Sequence, residues 1–206
     1  MTRKRLTREQ SKDQTRQRLL DAAQTIFTKK GYVAASVEDI AGAAGYTRGA
    51  FYSNFHGKSE LLIELLKRDH ERVQEDLQGI FEADATREQM EERVLAYYSQ
   101  LFRDNKCFLL WVEAKLQASR DAKFRARFNA FMHEKREQMA LYIRTFAERV
   151  GTPLPLPAET LALGLMSLCD GVQGFHTADP QHVPDALAES VLGGFFARVV
   201  LGRGVV

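Results

Sequence analysis

The chain has 206 residues, enough for one sizeable domain or a small domain packed with a larger one. Hydrophobic residues make up 45% and charged residues 27%, and no charge-free apolar stretch reaches the roughly 18 residues of a membrane helix, so a soluble globular protein is expected, with no membrane partner. Net charge is only +2 but unevenly placed: residues 1–60 carry 11 Lys/Arg against 6 Asp/Glu, and the remainder carries 18 against 21. A basic module on a mildly acidic body suits a polyanion held at one end.

The periodicity predicts helices almost throughout, with no alternating strand pattern and no Asn-Gly or Asp-Gly hairpin signal. The first helix is expected from about Asp13 to Lys30, with Leu19, Ala23, Ile26 and Phe27 in one stripe and Gly31 at its end. The second is short. Ser36 caps it, Asp39 completes a capping box, Val37, Ile40, Ala41 and Ala44 face inward, and Gly45 ends it. Thr47 caps a third short helix with Ala50, Phe51 and Phe55 on its inner side, closed by Gly57. Ser59 is expected to cap a fourth, running to about Phe81. Further helices are predicted over about 87–103, 105–119, 121–150, 158–176 and 185–202, with prolines at the two breaks after residue 150 and after residue 179.

The last two helices are apolar on more than one face. In the final one, Val191, Leu192, Phe195, Phe196, Val199 and Val200 cannot all meet a single core. Packing inward on their own domain and outward on a second copy of the chain accounts for both faces, so a homodimer through these two helices is expected.

Ser36 to Phe55 is the most informative segment. Two short helices flank a tight turn at Gly45-Tyr46, with small residues where they must cross. This is the spacing of a helix-turn-helix, whose second helix enters the major groove. That helix is expected to turn Thr47, Arg48, Gly49, Tyr52, Ser53 and Asn54 outward, short or hydrogen-bonding groups with Gly49 allowing close approach.

The run SVEDIAGAAGYTRGAFYSNFHGKSELL, preceded by LLDAAQTIFTKKGY, resembles the N-terminal domain of the TetR/AcrR family of bacterial regulators over residues 14–66. The resemblance implies an all-α fold of about nine helices: a DNA-binding domain over residues 1–58, with a basic arm, and a larger ligand-binding and dimerisation domain over 59–206. It implies that Thr47, Tyr52 and Lys58 contact phosphate and that Ser36 touches the backbone. Arg48 is the candidate for base readout, by a bidentate bond to guanine, with contact to phosphate as the alternative. Gly49 and Ala50 would admit a thymine methyl, and Asn54 completes the DNA-facing set. The arm at Arg3, Lys4, Arg5 and Arg8 would reach the minor groove or add charge alone.

The family's second domain holds a small-molecule effector between helices. Aromatics are dense there, and polar groups interrupt apolar stretches. Tyr98, Phe102, Trp111, Glu113, Phe128, Met166, Asp170 and Gln173 are the candidate lining of a pocket for a largely apolar or aromatic molecule. Each aromatic also reads as ordinary core, and Glu113 equally as a solvent ion pair.

No GxSxG, Gly-rich phosphate loop or HExxH is present, and the five histidines have no ligand spacing, so neither enzyme activity nor a metal or cofactor is expected. Cys107 and Cys169 stand far apart in no CxxC pair and read as reduced thiols. The basic N-terminus lacks the apolar core of a signal peptide, so the expected location is cytoplasmic. The expected function is a ligand-responsive regulator, most simply a repressor, that binds an inverted-repeat operator in double-stranded DNA. The competing expectation is a sequence-indifferent DNA-organising or interaction protein without ligand control.

Overall fold

The computed structural model describes residues 7–82, 86–101, 103 and 107–199. Among them the regular elements are all helices: α1 (Arg8–Lys30), α2 (Val37–Ala43), α3 (Arg48–Tyr52), α4 (Lys58–Glu82), α5 (Arg87–Gln100), α6 (Phe108–Arg120), α7 (Ala122–Val150), α8 (Ala158–Ala178) and α9 (Asp185–Val199). None of these is long and apolar enough to cross a membrane. Arg3, Lys4 and Arg5 of the arm, Phe102 and Val200 lie outside the described residues.

Two helix starts differ from the sequence expectation. α1 begins at Arg8, not near Asp13, because Thr7 and Gln10 form a reciprocal capping box: the Gln10 amide donates to Thr7 Oγ1 at 3.2 Å and the Thr7 amide to Gln10 Oε1 at 3.0 Å. Arg8 is therefore helical and does not extend the arm. Ser59 does not cap α4. It lies inside the first turn, and its hydroxyl shares a 2.9 Å hydrogen bond with that of Tyr32. The Glu60 carboxylate reaches back instead to the His56 amide at 2.7 Å.

The chain forms two compact units. The first holds residues 1–71 and 107–128, so it takes in the start of α4, all of α6 and the start of α7 as well as the helix-turn-helix. Its core includes Leu19, Phe27, Ile40, Phe51, Phe55, Leu61, Leu62, Leu66 and Leu110, all essentially inaccessible to solvent. Each such side chain contributes roughly 1.5–3 kcal/mol through burial.

The second unit holds residues 72–106 and 129–206. Its main cluster joins Leu77, Met90, Val94, Tyr98, Phe146, Val150, Leu165 and Phe196. Tyr98 stacks on Phe196 with ring centroids 4.5 Å apart, and Phe146 meets the same ring edge-on at 6.3 Å. α9 packs on both α5 and α8. Arg103 ties the start of α9 down through Asp185 at 3.3 Å and Glu189 at 2.5 Å. Phe196→Ala, which empties the centre of this cluster, is expected to cost about 3–5 kcal/mol in urea unfolding at fixed protein concentration. A loss below about 1 kcal/mol would mean that this core is not packed as described.

Candidate nucleic-acid interface

α2 and α3 are set at their starts by side chains. The Ser36 hydroxyl accepts from the Asp39 amide, and the Asp39 carboxylate accepts from the Ser36 amide, both at 3.0 Å. Lys30 adds an ion pair to Asp39 at 2.8 Å. These bonds, Lys30's first, hold the Asp39 carboxyl down at about 2, so the cap stays charged at neutral pH. Thr47 Oγ1 accepts from the Ala50 amide at 3.2 Å. Between the two helices Gly45 adopts φ +75°, a left-handed conformation that favours glycine, and the Tyr46 amide donates to the Ala41 carbonyl at 2.8 Å.

Phe51 and Phe55 are fully buried, which turns the opposite side of α3 outward. Thr47, Arg48, Gly49, Tyr52 and Ser53 are exposed there, and Ala50 is half-buried. Arg48 Nη1 lies 2.9 Å from Glu38 Oε1, and its guanidinium sits 5.5 Å from the Tyr52 ring centroid. A Cβ on Gly49 would meet only Thr47 Oγ1, at 3.7 Å, so nothing within the protein requires glycine at that position.

Asn54 differs from the expectation. It lies past the end of α3 and is turned inward, with its side-chain amide donating to the Ala50 carbonyl at 2.8 Å. Its own backbone carbonyl accepts from Arg16 Nη1 at 2.8 Å. Arg16 also pairs with Glu64 at 2.8 Å and lies 4.2 Å over the Phe55 ring. Arg16 thus braces the chain just after α3, a role with no local sequence signal because its partners are about forty residues away.

Lys58 also has internal partners. Its ammonium donates to the carbonyls of Tyr32 at 2.9 Å, Val33 at 3.3 Å and Ala35, in the turn between α1 and α2. An ammonium has three donors, and all three are engaged there. Burial pushes the lysine below its ordinary pKa, and the Asp39 charge opposes that shift. On the same turn, Glu113 of α6 accepts the Tyr32 amide at 3.0 Å. Gly31 has φ +78°, and a Cβ there would sit 2.9 Å from Glu113 Oε1. Glycine is favoured at that position by its conformation, and a side chain there would also displace the Glu113 carboxylate.

The seven candidate effector residues among the described residues are divided between the two units. Trp111, Glu113 and Phe128 are in the first. The Trp111 indole is buried and donates to Asp69 at 2.8 Å. Phe128 is buried and stacks on Phe124 at 6.0 Å. In the second unit Tyr98 is buried in the main cluster, Gln173 is buried, Met166 is half-buried and Asp170 is exposed. The Tyr98 hydroxyl donates to Met139 Sδ at 3.2 Å, and burial raises its pKa. An apolar void of about 10 Å³, near the minimum for one water, is lined by Leu77, Val94, Tyr98, Tyr142, Phe146 and Phe196, among others. Burial pushes the Cys169 thiol up to about 12, with Asp170 adding to the shift, so it is protonated at neutral pH. Neither cysteine is in a disulfide, and the Gln24 side-chain amide donates to Cys107 Sγ at 3.4 Å.

These features define a helix-turn-helix protein. Residues 19–65 match "Bacterial regulatory proteins, tetR family", and residues 85–201 match "BetI-type transcriptional repressor, C-terminal". The chain belongs to the TetR family of DNA-binding transcriptional regulators. Over 67 residues it is 42% identical to the HTH-type transcriptional regulator TtgR of Pseudomonas putida, a stretch covering 32% of this chain and 31% of that protein. The matched segment thus spans about a third of that curated relative. A transcriptional regulator from Saccharomonospora viridis, solved with choline, superposes with a TM-score of 0.70 at 20% identity, over 89% of this chain and 96% of that one. The SmeT–triclosan complex gives 0.68 at 23% identity, over 90% and 91%.

Glu113→Ala removes the carboxylate partner of the Tyr32 amide, and a loss of about 1–2 kcal/mol in stability is expected, with faster hydrogen exchange at that amide. Unchanged stability and exchange would mean that Glu113 does not hold this turn.

Proposed function

We propose that this protein is a ligand-responsive, sequence-specific repressor that binds an inverted-repeat operator as a homodimer in the cytoplasm. The observation that carries the reading is the outer face of α3. It exposes Thr47, Arg48, Gly49 and Tyr52 on a helix whose start, end and preceding turn are all fixed by named bonds. Arg48 is the base reader. Thr47, Tyr52 and Ser36 contact phosphate or backbone around it, and Gly49 and Ala50 leave room for a thymine methyl. Lys58 acts through the α1–α2 turn, and Asn54 through the end of α3.

Dimerisation through α8 and α9 is supported by their exposed apolar side chains: Leu163, Phe175, Leu187, Val191 and Phe195. Phe175 is 70% exposed, an unfavourable state for a phenylalanine that a second copy would relieve. Two copies related by a twofold axis would present their α3 helices to half-sites about 34 Å apart, or a multiple of that spacing.

The effector is a small, largely apolar or aromatic molecule. Support comes from the aromatic and apolar side chains of the second unit, where Tyr98, Tyr142, Phe146 and Phe196 border a small apolar void. Release from DNA requires that the ligand prefer an arrangement of the protein other than the DNA-bound one. Two solved neighbours of this fold hold small molecules, one choline and the other triclosan.

Selection of random double-stranded DNA at physiological salt tests this reading, with enrichment of an inverted repeat as the expected result. On that operator Arg48→Ala is expected to relax preference at one position per half-site, with a loss of about 1–3 kcal/mol in discrimination. Salt-sensitive binding without enrichment would contradict sequence-specific recognition.

A further inference from the structure

We propose that Glu38 is a specificity-determining residue: its carboxylate buttresses Arg48 for base contact and disfavours capture of the guanidinium by phosphate. The inference rests on the reading of Arg48 as the base reader. Glu38 lies in the first turn of α2 and Arg48 opens α3, so their separation is set by the turn between the helices. That turn is fixed by Gly45 at φ +75°, by the Tyr46 amide on Ala41, and by the burial of Ile40 and Phe51.

The side chains of Glu38 and Arg48 are 57% and 66% exposed. A pair in that setting contributes only about 0–1 kcal/mol to stability, so holding the fold together is a weak reason for the contact. Its geometric consequence is larger. A guanidinium carries five donors in one plane. Glu38 pairs with one terminal nitrogen, Nη1, at 2.9 Å, and the Tyr52 ring centroid lies 5.5 Å from the guanidinium carbon. The edge formed by Nε and Nη2 is left for the O6 and N7 acceptors of a guanine.

The carboxylate also places a negative charge beside the surface that meets DNA. It repels phosphate oxygens, so it penalises binding that depends on the backbone alone. A neutral base edge, whose acceptors carry only partial charge, incurs a smaller penalty. The pair thus favours the base edge over the phosphate for the same arginine.

The test compares wild type and Glu38→Gln on the selected operator, on operators altered at each position of the half-site in turn, and on random-sequence DNA. Glu38→Gln is expected to bind random DNA more tightly and to lose about fivefold of its discrimination at the guanine contacted by Arg48. Discrimination elsewhere in the half-site should stay at the wild-type level. Unchanged discrimination at that guanine would overturn the proposal. So would a loss spread evenly over every position, which would mark general loosening of α2 and α3. If the wild type selects an operator but Arg48→Ala relaxes no position, Arg48's base-reading role fails, and the buttress fails with it.

Discussion

Residues 31–35 join α1 to α2, and this turn is the constraint on which the outer face of α3, the proposed DNA-reading surface, depends. Backbone groups at a turn have no helical partners, and left unpaired in a packed interior each would cost about 1–3 kcal/mol. Here a cation and an anion from distant parts of the chain supply the partners. Lys58, at the start of α4, donates to three carbonyls, while Glu113, in α6, accepts the Tyr32 amide. The Tyr32 hydroxyl adds a bond to Ser59, and Phe27 packs on the Tyr32 ring at 5.4 Å. α2 starts directly after this turn, so its direction, and with it that of α3, is inherited from these contacts.

A second set of braces acts at the far end of the motif. Arg16 holds the Asn54 backbone carbonyl and pairs with Glu64. Recognition of DNA requires donors in the right place before binding, because each degree of freedom frozen on contact subtracts from affinity. α3 has only five residues and would not be stable alone. Its rigidity comes from the Thr47 cap, the buried Phe51 and Phe55, and these braces.

Much of this is legible in the sequence where the signal is local. The Ser36–Asp39 box, the Thr47 cap, the glycine breaks at Gly31 and Gly45, and the apolar inner face of α3 all follow from spacings of a few residues. The Thr7–Gln10 box has an equally local signature, but it lies beside the basic arm and ahead of the apolar stripe that marks α1. Ser59 has the right residue type for a cap, but Tyr32, 27 residues away, claims its hydroxyl. The partners of Lys58, Arg16, Trp111 and Glu113 lie 23 to 81 residues away, and no periodicity reports them. For the same reason an effector lining is hard to read: an aromatic at helical spacing looks identical whether it fills a core or borders a cavity.

The role of Lys58 separates a reading head braced from within from one held to DNA by that lysine. The most direct measurement is the salt dependence of operator binding by wild type and Lys58→Ala. If Lys58 braces the turn, the variant is less stable and binds more weakly, but the slope of log affinity against log salt is unchanged. A slope shallower by about one unit per subunit would show that Lys58 neutralises a phosphate, and would contradict its assignment as the brace of the α1–α2 turn.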